Sequence, residues 1–423
     1  MISFLTTLFI ATFILQPTEW ISIFSGIPLQ ELLMLIIVML TAITKSDVLF
    51  TFFKLKTTRF FLAYIFMALV GYTVSGYGAG IFLSEHAPKV LRYFLSYMVV
   101  VIGLDSLSKI RFSLLVSMMS ALLVALLCIR LRETGLGVGA GIGVTVQELN
   151  WRGGVQWLGQ VSGSNSTAFL LVTQLGLTLT FLSKAERGFK KMLAIFSLVA
   201  ILLAILYTGS RGGLLGTIGV FAFFGMIKYQ ISIKKAVPLG IVLLAALFVL
   251  KPTSDDRGLR DSSSNERVEL MYHGLQMLKE NPFVGVGYNR FHLENPIRKV
   301  AHNIYLQQIA ENGLIGASFF FLMFYTSIRN SKKYYDENQD DQLLKNTTLG
   351  IWCSSVGLAI CTFFLSASHF LPYIILGLIT SLPGPNALKY KLGFSELRLV
   401  LGIEILSIAL IYIAINVFAA MFF

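Results

Sequence analysis

The chain has 423 residues, 55% of them hydrophobic and only 13% charged, with a mean hydropathy of +0.74. A soluble domain carries about 25% charged residues, so a soluble enzyme or binding module is excluded and an all-α polytopic membrane protein is expected. The net charge of +12 then reports loops on the cytoplasmic side rather than a nucleic-acid partner, because excess Lys and Arg mark the inside of membrane proteins and no nucleic-acid-binding pattern is present.

A membrane-spanning helix needs about 20 mainly apolar residues. Such runs lie near 2–16, 27–44, 60–83, 90–104, 112–130, 166–183, 192–208, 213–229, 236–250, 312–328, 347–365, 370–382 and 399–422. The first and the twelfth are short, so 12–13 transmembrane helices are expected. The opening MISFLTTLFIATFILQ has no Lys or Arg before its apolar run and no small-x-small cleavage site after it, which reads as a first membrane helix and not as a removed signal peptide.

With the N-terminus inside, every alternate loop is basic. These loops hold Lys45, Lys54, Lys56 and Arg59; Lys109 and Arg111; Lys184, Arg187, Lys190 and Lys191; Lys228, Lys234 and Lys235; Arg329, Lys332, Lys333 and Lys345; and Lys389, Lys391 and Arg398. The opposite side receives 131–165, the tight turn at 209–213 and a long polar segment at 251–311. Three units follow: about nine helices over 1–250, a partly helical periplasmic loop over 251–311, and three or four helices over 312–423. The cysteines Cys128, Cys353 and Cys361 all sit in apolar runs and read as small buried hydrophobes, not as disulfides or metal ligands. The Gly-rich run at 135–143 neither follows a strand nor opens a helix, so it reads as a surface loop and not as a phosphate fingerprint.

The long outer segment holds three of the five histidines, His273, His292 and His302, and the arginines Arg257, Arg260, Arg267, Arg290 and Arg298. Polar side chains beside a bilayer are costly, so chemistry is expected there. Ser264 or Asn265 can cap a helix through ERVELMYHGLQMLKE, whose apolar face is Val268, Leu270, Met271, Leu275 and Leu278 and whose stop is Asn281-Pro282. The segment therefore reads as a folded cap, and a second helix is expected to begin near His302.

Several side chains stand out. Arg211, in Thr208-Gly-Ser-Arg-Gly-Gly213, sits between two spans among glycines; its planar fork suits a phosphate, although an arginine anchoring a helix at the interface reads the same way. Arg267 and Arg290 lie on the cap, where a solvated charge is the plainer alternative. His302 stands where the loop re-enters the membrane, and an imidazole with a pKa near 6.5 suits proton transfer at neutral pH. Asn303, Tyr305 and Glu311 follow it. Glu311 either orients His302 or shapes the helix start. His369, near an outer turn, is read as an interfacial residue. Basic and acidic residues nearly balance between 251 and 300, so their sum gives no phosphate-binding field.

The order of these blocks resembles the O-antigen ligase and polymerase superfamily of bacterial membrane glycosyltransferases. The resemblance rests on Ser210-Arg211-Gly212 in a short outer turn; on Arg267, Asn281-Pro282 and Gly285-x-Gly287 in a long outer loop; and on His302-Asn303-x-Tyr305-Leu306 followed by Glu311-x-Gly313. It covers about residues 160–330. A looser match is Asn165-x-x-Ala168, preceded by Ser164 where the family has proline; an arginine the family often carries just upstream is missing, with Arg152 as the one candidate to replace it.

The resemblance implies a metal-independent, inverting glycosyltransferase with no cofactor. Its donor would be a glycan on undecaprenyl diphosphate, and its acceptor either the lipid A core or a growing glycan, at the periplasmic face of the inner membrane. It also implies site roles: Arg211 and Arg267, with Arg290 third, on the leaving diphosphate; His302 as base; Asn303, Tyr305, Glu311 and Asn165 lining the substrate. A transporter or flippase of lipid-linked glycans is the alternative. The spans hold almost no ionisable residues near their centres, which disfavours it. A purely structural membrane protein would leave Arg211, Arg267 and His302 without a purpose.

Overall fold

The computed structural model describes residues 1–137, 154–159, 163–183, 186–232, 262–365 and 370–422. Among them no strand occurs, and the protein is an all-α polytopic membrane protein. The helices are α1 (Ile2–Leu15), α2 (Leu29–Thr44), α3 (Ser46–Lys54), α4 (Lys56–Val74), α5 (Ala87–Gly103), α6 (Leu107–Thr134), α7 (Ser164–Thr178), α8 (Phe189–Thr208), α9 (Arg211–Lys228), α10 (Ser262–Glu280), α11 (Ile304–Glu337), α12 (Gln342–Cys361), α13 (Leu371–Ser381) and α14 (Phe394–Phe422). Among the described residues six helices are long and apolar enough to cross a bilayer, and up to seven if the bent pair α2–α3, at 108°, is one span. The remaining expected spans coincide with shorter or less apolar helices, such as the 14-residue α1 and the 11-residue α13. The expected span at 236–250 lies outside the described residues, as do Arg257, Arg260, Arg152, His369 and most of the Gly-rich run.

The contacts sort the loops into two ends. At one end Lys45 pairs with Asp105 (3.1 Å), Arg111 pairs with Glu186 and donates to Thr347 (2.8 Å), Lys228 donates to Asn346 (3.2 Å) and Lys56 to the Tyr390 carbonyl (2.9 Å). These are the basic loops that the charge pattern groups together. At the other end Trp157 donates through its backbone to Thr167 and through its indole to Ile14 (2.7 and 3.0 Å), and Ser75 donates to Gly285 (3.1 Å).

Close packing of α7, α9 and α12 aligns their outer ends. Gly176 abuts the Ser354 backbone, Gly357 meets Val172 and Val220, and Gly216 meets Cys361. Small residues let helix backbones approach where apolar burial alone drives little association.

The cap helix α10 begins at Ser262, so Ser264 and Asn265 fall inside its first turn instead of at its cap. It ends before Asn281-Pro282, as expected. Leu270, Met277 and Leu278 are buried, and Gly274 seats directly on Leu306 of α11. The cap thus shares a small apolar core with α11 and the last helix, through Phe291, Ala310 and Ile411.

Helix α11 is broken at Gly313 (φ 61°, ψ −175°). The segment Pro282–Gly287 is spliced into the break: Val286 and Gly287 donate to the carbonyls of Ala310 and Glu311 (2.9 and 3.0 Å), while Leu314 and Ile315 donate to those of Pro282 and Phe283 (2.8 and 3.3 Å). Gly285 (φ 72°) lies against the Ala310–Glu311 backbone, and Gly313 against that of Phe283 and Val284. Only glycine tolerates the Gly313 conformation at low cost; another residue there costs on the order of 1–3 kcal/mol before any clash. Gly313→Ala is therefore expected to lower the thermal unfolding midpoint strongly, whereas Gly80→Ala, where a Cβ meets nothing within 4 Å, leaves it near that of the parent. Equal midpoints in a detergent melting series would show that the splice contributes little.

Candidate functional site

The outer ends of α7, α9, α11 and α12 meet. Ser210 caps α9: its Oγ accepts from the Gly213 N–H (3.2 Å) and its hydroxyl donates to Asn165 Oδ1 (2.7 Å). Ala168, one turn along α7, packs against Gly213. Both ends of the Asn-x-x-Ala stretch thus hold the Ser-Arg-Gly turn, and Asn165 acts on Ser210 directly. Arg211 is the first residue of α9 and is exposed. An uncompensated helix N-terminus and a guanidinium favour the same charge, that of an anion.

The end of α12 joins this turn to α11. Cys361 Sγ lies 3.6 Å from the Gly212 carbonyl, and Phe364 closes over Gly212. The next residue, Thr362, accepts from the Ile304 N–H at its carbonyl (2.9 Å). Arg211 and His302 therefore flank one short stretch at the end of α12. Asn303 caps α11, its Oδ1 accepting from the backbone of Tyr305 and Leu306 (3.0 and 3.1 Å). Its Nδ2 is buried without a hydrogen-bond partner. Tyr305 donates to the Ala359 carbonyl (2.8 Å) and its ring lies 4.5 Å from Phe363, which fastens α11 to α12.

His302 is half-buried, with a backbone in the left-handed region (φ 50°). Non-glycine residues adopt that conformation at a cost, which concentrates at sites where the side chain is being aimed. Burial, and then the charges of Arg267 and Lys299, hold its imidazole below the ordinary value, with Glu266 opposing. Arg267 is thereby within electrostatic reach of His302, and Lys299 is tied to Glu266 at 2.6 Å. The cap helix and the loop after it thus bring their charges to the start of α11.

Two predicted residues stand elsewhere. Arg290 lies over the Tyr77 ring (3.6 Å) and pairs with Glu294 (3.0 Å), which also accepts from the Tyr77 hydroxyl (2.7 Å). Its surroundings are those of His86 and His292, not of His302. Glu311 is fully buried and accepts from Gln307 Nε2 and from the Phe291 N–H (3.0 and 3.3 Å). Of its two expected roles, these contacts express the shaping of helix and loop. Among the described residues no group of three His, Cys, Asp or Glu side chains is arranged to hold a metal ion.

Sequence reasoning missed Ser210 as a cap, Thr362 as the joint between α11 and α12, and Tyr77 as the partner of Arg290. The Ser-x-x-Gly spacing hints at the first. Nothing local signals the others, which lie 57 and 213 residues from their partners.

Residues 196–321 match the family model for O-antigen ligase. The chain belongs to the O-antigen ligase and polymerase superfamily. The matched segment runs from the middle of α8 to α11 and contains Arg211, Arg267, Arg290 and His302. It supports ligase- or polymerase-type glycosyltransferase activity in general. No curated protein matches the chain significantly.

Since Arg267 repels a proton from His302, Arg267→Ala should raise the imidazole titration midpoint. Ring-carbon NMR of histidine-labelled protein reads this directly. An unmoved midpoint would mean that the Arg267 charge does not act on His302.

Proposed function

We propose that this protein transfers a glycan from undecaprenyl diphosphate to a hydroxyl of an acceptor sugar, with inversion and without a metal, at the periplasmic face of the inner membrane. The reading rests on one observation: Arg211 at a helix N-terminus and a half-buried His302 beside Arg267 are gathered around the outer ends of α9, α11 and α12. The acceptor hydroxyl attacks the anomeric carbon as the bond from that carbon to the diphosphate oxygen breaks. The bonding pair leaves with the diphosphate, and the hydroxyl proton passes to the His302 imidazole. A diphosphate is a good leaving group at neutral pH, so no general acid is required. What is required is fixed positive charge where negative charge grows, which Arg211 and Arg267 supply. Asn165 and Asn303 hold the two helix starts that carry these groups.

The base must be neutral to accept a proton. With its pKa held below the ordinary 6.5, His302 is neutral at pH 7, and activity should be lost only as pH falls through the depressed value. The acid limb of kcat/KM is therefore expected below pH 6.5. His302→Ala should lower kcat by about 100-fold or more, and Arg211→Ala by about 100- to 1,000-fold, at equal expression. Product analysis in membranes making a lipid-linked glycan checks this: the glycan stays on the carrier in both variants and moves with the parent. Normal transfer by both variants would refute the site.

A further inference from the structure

A second set of cations lies outside the transfer step. Lys89 stands in the first turn of α5, half-buried, and among the described residues its ammonium has no hydrogen-bond or ion-pair partner. It is within electrostatic reach of His86, His292, Glu311 and Arg92. Arg290 acts on both of those histidines, and its Nε is buried with no hydrogen-bond partner. The other charges nearby are engaged. Glu294 is held by Arg290 and Tyr77, Glu311 by Gln307 and Phe291, and Arg92 pairs with Glu31 at 3.3 Å. Arg298 donates to the Leu293 carbonyl (2.9 Å), and Glu85 adjoins His86.

This group is separate from the one around His302. Glu311, which faces Lys89, is eight residues along a continuous helical stretch from Asn303, a length of about 12 Å. One diphosphate cannot bridge that distance. A transfer between two lipid-anchored substrates, however, presents two anionic groups: the donor diphosphate and the phosphate that the acceptor carries on its own lipid. Both are held at the membrane surface, and so are both cationic groups.

We propose that Lys89, Arg290 and His292 form a second anion subsite that takes the lipid-borne phosphate of the acceptor, an inference that rests on the transferase reading. The ligand is a phosphate ester or diphosphate on a lipid-anchored glycan. Lys89 supplies the charge that no neighbour in contact neutralises. Arg290, held flat by Tyr77 and Glu294, presents its remaining N–H edge, and His292 adds one donor. Glu311 anchors the Phe291 backbone and so fixes the loop that carries Arg290 and His292.

The test is steady-state transfer by the full-length protein in lipid nanodiscs with three acceptors: an undecaprenyl-diphosphate-linked glycan, a phosphorylated lipid A core, and the same core after phosphatase treatment. Lys89→Ala should raise KM for a phosphorylated acceptor by roughly 10-fold or more, the scale of one charge-assisted hydrogen bond. KM for the donor should hold, and Lys89→Arg should retain most of the parent's acceptor affinity. For the phosphatase-treated core the parent and Lys89→Ala should have similar KM values, because one interaction has been removed from either side. Whichever phosphorylated acceptor responds identifies the source of the phosphate. Equal losses on phosphorylated and dephosphorylated acceptors, or a raised donor KM, would overturn the subsite. If Lys89→Ala melts early, Lys89→Gln replaces it under the same criteria. If the parent transfers to none of the three, the transferase reading itself falls and the subsite with it, a result distinct from the other two.

Discussion

The outer half of the molecule depends on one backbone arrangement, the splice of Pro282–Gly287 into the break of α11. A helix interrupted beside a bilayer leaves carbonyls and N–H groups with no water to satisfy them, each at a cost of several kcal/mol. Here four hydrogen bonds to a passing strand-like segment restore them. The exchange requires backbones in direct contact, and a Cβ at Gly285 or Gly313 would occupy the same space as the opposing chain. The splice also acts at a distance. It fixes where the loop leaves α10 and where it rejoins α11, so the intervening 15 residues, with Arg290 and His292 in them and His302 at their end, have little freedom to wander.

Around that joint the charges divide into two groups with different chemistry. At the start of α11, a histidine and the arginine of the cap helix stand near the N-terminus of α9, where a departing anion is met by a dipole and by a guanidinium. At the far side of α11, aromatic rings of Tyr72, Tyr77 and Tyr288 surround His86 and the Arg290 clamp. Burial in such surroundings disfavours protonated imidazole, so these histidines contribute donors instead of charge near pH 7.

Much of the fold was legible because its cause is local. Apolar runs of sufficient length gave the spans, and the basic loops gave their alternation; the Lys45–Asp105 and Arg111–Glu186 pairs join loops that this pattern puts on the same side. The cap helix and the start of α11 followed from Asn281-Pro282 and from Asn303. What escaped was non-local. Gly285-x-Gly287 and Gly313 stand out as residues, but a splice between them is a contact across the chain with no periodicity to announce it. Asn165 was read as lining substrate because asparagines often do; its bond to Ser210 depends on α7 and α9 approaching through glycines far down their length. Arg290 was grouped with Arg267 because both sit on one loop, yet that loop wraps both sides of α11.

The same point governs how charge is read. Summed over 251–300 the loop is almost neutral, which argues against a phosphate-binding field. The sum is misleading because the acids are spent locally: Glu266 on Lys299, Glu294 on Arg290 and Tyr77, with Glu269 3.9 Å from His273. An ion pair at contact cancels over a few ångströms, within a screening length of about 8 Å at physiological salt. A ligand at the surface therefore meets cations that have no acid in contact, wherever they come from in the chain. Lys89, contributed by a span nearly two hundred residues before the loop, weighs more in that local field than the loop's own total.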